Sequence, residues 1–144
     1  MTDRNQAAQL SDEIRALVRG ANFGNLATLM RDGSPHIDPV WIDLEGDTIL
    51  VCSGADSIKA KNTKRDARVG LSVIAMDNPY KEAQLRGRVV EQRTDSDFTM
   101  IDRVSHKYTG KPFPFRDEPA ERLVLGIAVE RARYFVLPFV HAPA

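Results

Sequence analysis

Residues 26–53 read LATLMRDGSPHIDPVWIDLEGDTILVCS. Three runs of β-branched and aliphatic residues are separated by Arg31-Asp32-Gly33-Ser34 and Glu45-Gly46-Asp47, two polar segments in which glycine frees the backbone for a tight turn. The spacing predicts three strands, GNLATLM, HIDPVWIDL and TILVCS, joined by hairpins into an antiparallel meander. In TILVCS both alternate sets are apolar, Ile49 with Val51 and Leu50 with Cys52, so this strand should be covered on both faces and lie centrally.

Working outward, RVGLSVIA (68–75), a strand around Gln84–Arg93 and LVLGIAVERARYFVL (123–137) continue the period of two. Leu10, Ile14, Leu17 and Val18 recur at helical spacing around residues 11–19, with Ser11 as N-cap and Gly20 past the end. A further helix is expected over DSDFTMIDRVSHKY with Thr94 as its N-cap, stopped by Gly110 and Pro112. The pattern is mainly β: about six antiparallel strands in a barrel with peripheral helices. A single domain spans 1–144, with the opening helix about 11–19 and the barrel about 23–137.

The 144 residues carry 20 Lys+Arg against 20 Asp+Glu, so the long-range positive potential that coats nucleic acid or anionic membrane is lacking. Cys52 is the one cysteine and cannot form an internal disulfide; it reads as a core residue. MTDRNQAAQ has no apolar signal core and no run approaches the roughly 20 residues that span a bilayer, so a cytoplasmic protein is expected. His36, His106 and His141 have no metal-site spacing, and no metal is expected.

Against this neutral background, residues 57–69, SIKAKNTKRDARV, hold five cations: Lys59, Lys61, Lys64, Arg65 and Arg68. Asp56 or Ser57 can cap a helix over about 58–65. At about 100° per residue, Lys59 comes within about 60° of Asn62 and Thr63, while Lys61, Lys64 and Arg65 face elsewhere. Ser53, Ser57, Lys59, Asn62 and the free amides of the helix start could converge on an anion such as a phosphate. The second face reads as solvated surface.

Three pieces in this order, LATLMRDGSPHIDPVWIDLEGDTILVCS, SIKAKNTKRDARVGLSV and LRGRVVE (85–91), resemble the pyridoxamine 5'-phosphate oxidase-like split-barrel flavin and deazaflavin oxidoreductases. The likeness is strongest to the branch that uses the deazaflavin coenzyme F420. Its most specific signals are Asp32-Gly33-x-Pro35-His36, Pro39-Val40-Trp41, Lys59-x-x-Asn62 and Arg65-Asp66-x-Arg68-Val69. The resemblance implies a homodimeric six-stranded antiparallel split β-barrel with two cofactor sites at the subunit interface. It places Val40 and Trp41 along the flavin-like ring and gives the phosphate to Ser53, Ser57, Lys59 and Asn62. Tyr80 of the partner would close the pocket, and the terminal FVLPFV could pack at the dimer interface. The chain departs from the family's pattern at Ser57, near which a basic residue is frequent, and at Ala67, where proline is frequent.

The implied activity is hydride transfer between F420 and a small electrophilic organic substrate, with no side chain needed as nucleophile. His36 is the candidate proton donor. Lys61, Lys64 and Arg65, or Arg86 and Arg88, could border the groove for the cofactor's acidic tail, and Tyr108 begins a loop that could wall the pocket. Two alternatives stand beside this reading: an FMN-dependent pyridoxamine-phosphate oxidase-like enzyme, and a non-catalytic flavin or deazaflavin carrier. Neither nucleic acid nor membrane is an expected partner.

Overall fold

The structure is a computed structural model that describes residues 8–117 and 121–144. In chain order the elements are α1 (Asp12–Arg19), β1 (Gly24–Leu29), β2 (Pro35–Val40), β3 (Asp43–Glu45) and β4 (Thr48–Gly54). They continue as α2 (Ile58–Arg65), β5 (Arg68–Ala75), β6 (Asn78–Thr94), α3 (Thr99–Thr109) and β7 (Arg122–Val136). All strand pairs are antiparallel, in one sheet of order β2-β1-β5-β6-β7-β4-β3.

The expected meander is corrected here. HIDPVWIDL is two strands, which raises the count from six to seven, and the two lie at opposite edges: β2 pairs with β1, and β3 with β4. Thr48–Gly54 pairs on its other side with Ala128–Arg122 of β7, so β4 is next to an edge and β6 is central. Val40 and Asp43 are only three positions apart, which holds the two edges within about 11 Å of each other. The sheet must therefore curl into a barrel that is closed by the chain and split in its hydrogen bonding. Pro39 is tolerated because β2 is an edge strand.

The barrel interior is apolar, with Leu26, Ile42, Ile49, Val51, Val73 and Leu125 fully or almost fully buried. Helix α1 adds Ile14, Leu17 and Val18 to this core. Its start is as expected, Ser11 Oγ accepting from the Ile14 N–H at 3.3 Å. Leu50 and Val124 are buried on the opposite face of the sheet, where Ile101 and Val104 of α3 are buried as well. Strand β4 is thus covered on both faces without being central.

Helix α3 begins later than the sequence suggests. Thr94 ends β6 and donates its hydroxyl to Glu121 at 2.6 Å, while Phe98 occupies the cap position with φ of 62° and no side-chain cap bond. The buried carboxylate of Asp95 substitutes, accepting from the amides of Met100 (3.0 Å) and Ile101 (2.9 Å). Asp95→Ala strands both donors at a helix start and is expected to cost about 2 kcal/mol in urea unfolding. A loss below about 0.5 kcal/mol would show that water replaces the carboxylate at no cost.

Candidate functional site

Strand β4 delivers Ser53 to the foot of α2, where the chain turns and Ser57 caps the helix by accepting from the Ala60 N–H at 3.1 Å. The two hydroxyls lie 2.5 Å apart, and Ser53 also faces the Gly54 carbonyl at 3.1 Å. The amides of Ile58 and Lys59 have no acceptor among the described residues, as expected for the first turn of a helix. These groups form a compact set of donors that suits an anion.

Beside them opens a cleft of about 290 Å³, lined among others by Phe23, Val40, Trp41, Cys52, Lys59 and Arg122. Three of the residues singled out from the sequence, Val40, Trp41 and Lys59, therefore meet at one place. They are brought there by the split of HIDPVWIDL, since Val40 ends β2 and Trp41 begins the crossing to β3. The Trp41 ring stacks on Tyr108 with centroids 5.2 Å apart and planes at 7°. The Tyr108 hydroxyl accepts from the Ile42 amide (3.0 Å) and donates to the Asn22 carbonyl (2.6 Å). Burial pushes the Tyr108 phenol up to about 12, so this pin stays protonated. Lys107 completes the support, donating to the carbonyls of Val18 (3.1 Å) and Ile42; burial lowers its pKa.

Cys52 lines the cleft rather than the barrel core, half-buried, and its thiol is pushed up to about 12 by burial first and the nearby Asp95 second. Such a thiol is a weak nucleophile at neutral pH.

The other residues are placed elsewhere. Asn62 is buried; its amide donates to Thr28 Oγ1 (3.0 Å) and Met30 Sδ (3.3 Å), and its oxygen accepts from Arg65 (3.0 Å). It ties α2 to β1 instead of projecting beside Lys59. Arg65 also reaches the Leu29 carbonyl while staying exposed, as Lys61 and Lys64 are, so the second face is solvated. Tyr80 packs edge-on against Phe139 (5.3 Å) and His141 (6.3 Å), with no place in the lining of this chain's cleft. His36 is on β2 two residues before Asp38, and its Nδ1 is buried without a partner among the described residues. His106 is exposed on α3 with Nδ1 2.8 Å from the Asp102 carbonyl.

Two participants escaped the sequence. Asp38 accepts from Lys59 Nζ at 2.9 Å, the pair being only 31% and 15% exposed. Arg122 stacks its guanidinium over Phe113 at 4.8 Å and holds a buried Nε with no partner. Asp38 immediately precedes Pro39-Val40-Trp41, whose ring-contact residues were singled out instead, and Arg122, the first residue of β7, precedes the run 123–137 from which that strand was read. No group of three or more His, Cys, Asp or Glu among the described residues could hold a metal ion, and no described helix is long and apolar enough to cross a membrane.

The sequence model of the pyridoxamine 5'-phosphate oxidase family matches residues 10–135. No curated protein sequence matches. Among solved structures, an F420 reductase superposes with a TM-score of 0.76 at 24% identity, over 83% of this chain and 94% of that one. A conserved hypothetical protein of Mycobacterium tuberculosis gives 0.71 at 26% identity, over 96% and 97%. General Stress Protein 26 of Bacillus anthracis gives 0.65 at 16%, over 85% and 91%. The fold is the split barrel, and with the family match extending from α1 to β7, the chain belongs to the pyridoxamine 5'-phosphate oxidase family.

Proposed function

We propose that this protein is an oxidoreductase that binds the deazaflavin F420 in the cleft and moves a hydride between it and a small electrophilic organic substrate. The observation that carries this reading is the convergence of Val40, Trp41 and Lys59 on one cleft beside the Ser53–Ser57 turn. The likeness to an F420 reductase structure supports it. The donor set fits an anionic, ring-bearing ligand: the Ile58 and Lys59 amides and the buried Arg122 Nε lack acceptors among the described residues, Lys59 Nζ adds a cation already held by Asp38, and Trp41 and Phe23 offer flat apolar surface.

When bound, the cofactor supplies the hydride chemistry; the protein's part is to orient the ring and exclude water. Trp41 is suited to orientation because Tyr108 stacking removes its freedom to rotate. His36 is the proton donor we assign, on the same face of β2 as Asp38. A cleft of about 290 Å³ is at the lower end of the roughly 300–1,000 Å³ of a small-molecule site, so a second subunit should supply the missing wall. In this homodimer Tyr80 would act from the partner. The outer face of the sheet carries a wider groove of about 620 Å³, with Ile37, Arg86 and Arg131 on its lining, which offers a surface for that association.

The test is a fluorescence titration of the purified protein with F420 and with FMN side by side. Quenching or a spectral shift of F420 at micromolar protein is expected, followed by substrate-dependent loss of the reduced cofactor. A protein that isolates yellow and releases FMN on denaturation, with F420 unchanged, would transfer the assignment to the FMN-dependent, pyridoxamine-phosphate oxidase-like activity. Binding of F420 with no turnover of any electrophile would leave a carrier.

A further inference from the structure

The cleft contains two cations, but only one of them is free. Lys59 already donates to Asp38 at 2.9 Å in a half-sheltered position. Arg122 forms no ion pair among the described residues, lies over the Phe113 ring at 4.8 Å, and keeps a buried Nε without an acceptor among them. Of the other sheltered carboxylates at this end of the barrel, Asp43 is matched by Arg103 (3.3 Å) and Lys107 (3.8 Å) and Asp95 by the two amides of α3, while Asp56 and Glu121 are exposed to water that screens them. Among the sheltered groups, Lys59 and Arg122 on the lining against Asp38, which borders the cleft through Lys59, leave a net charge of about +1.

We propose that Asp38 sets the charge selectivity of the cleft: by holding Lys59 it matches the site to a phosphate group with a single negative charge, a phosphodiester, and disfavours a dianionic phosphate monoester. A monoanion is balanced by Arg122 with the Asp38–Lys59 pair intact. A dianion must either displace Asp38 from Lys59 or carry its second charge unneutralised beside that carboxylate, in a place too sheltered for water to screen it fully. Like-charge juxtaposition of this kind is how sites reject a chemically similar ligand. The inference rests on the cleft being the cofactor site. It would explain a preference for F420, whose phosphate is a diester, over FMN, whose phosphate is a monoester.

The test uses three flavins with one ring system: riboflavin, riboflavin 4',5'-cyclic phosphate (a monoanionic diester) and FMN, titrated by fluorescence at pH 8, where the monoester, with its second pKa near 6, is fully dianionic. Wild type should bind the cyclic phosphate more tightly than FMN. Asp38→Asn should tighten FMN about tenfold, leave riboflavin unchanged and so narrow or reverse the preference. Asp38→Glu, which keeps the charge, should retain the wild-type order, and thermal melts confirm that both variants are folded. Arg122→Gln should weaken the cyclic phosphate and FMN but not riboflavin. If Lys59→Ala weakens the phosphorylated flavins while Asp38→Asn weakens FMN or leaves it unmoved, the selectivity role of Asp38 is overturned and the site stands. If the flavins bind but none responds to any of these substitutions, the cleft itself is the wrong site; if none binds, the same variants are titrated with F420, and an affinity that Arg122→Gln and Lys59→Ala leave unmoved has the same meaning.

Discussion

Gly87→Ala is expected to destabilise the fold by about 3 kcal/mol or more, enough to remove much of the stability a domain of this size usually has. A β-carbon at Gly87 would lie 2.1 Å from the Ala128 carbonyl oxygen and 3.0 Å from both the Ala128 carbonyl carbon and Val129 Cα. These are backbone atoms, so no rotamer change can relieve the clash; β6 and β7 would have to part at the centre of the sheet. The position adjoins a register shift, between Arg86 and Gly87, that brings the two backbones together. Gly70→Ala is the matched control, since a β-carbon there meets only Ala27 Cβ at 3.8 Å and the Leu85 oxygen at 4.0 Å. It should change stability by less than about 1 kcal/mol. Equal losses from the two in chemical denaturation would refute the close-approach argument.

The second large effect concerns binding. Lys59→Ala should weaken the cofactor about 10- to 100-fold, the range of a charge-assisted hydrogen bond in a sheltered site, and the loss is compounded because Asp38 is left as an unpaired carboxylate beside the cleft. Lys61→Ala, two residues along the same helix but exposed and away from the cleft lining, should change affinity less than about twofold. Equal effects would mean that the helix acts through its overall positive field rather than through one ammonium. Repeating both titrations at higher salt separates the cases, since a field effect is screened and a sheltered contact much less so.

Where chemistry was local, it was legible in the sequence. Ser11 and Ser57 cap their helices because a hydroxyl and an amide three residues on are neighbours by covalent geometry. The paired apolar sets of TILVCS correctly implied cover on both faces, whereas nothing in LRGRVVE marked Gly87 as the point where a β-carbon would come within 2.1 Å of the neighbouring backbone. What failed depended on partners distant in sequence. HIDPVWIDL could not reveal that its two halves take different partners, because its crossing is held by Tyr108 and Lys107, more than sixty residues later. Asn62 shares a helical face with Lys59, yet Thr28 and Met30 claim its amide. The acid that pairs with Lys59 and the arginine opposite it come from other strands, so no reading of 57–69 alone could find them.

The crossing at Trp41–Ile42 has a further consequence. Sheet edges expose unpaired backbone groups that invite intermolecular strand addition. Here both edge strands belong to one stretch of chain, and α3 grips that stretch at its midpoint through the amide and carbonyl of Ile42. The last turn of α3 is thereby a latch: released, it would free both borders of the sheet at once for intermolecular strand addition, and fastened, it holds them together and keeps the Trp41 ring in place.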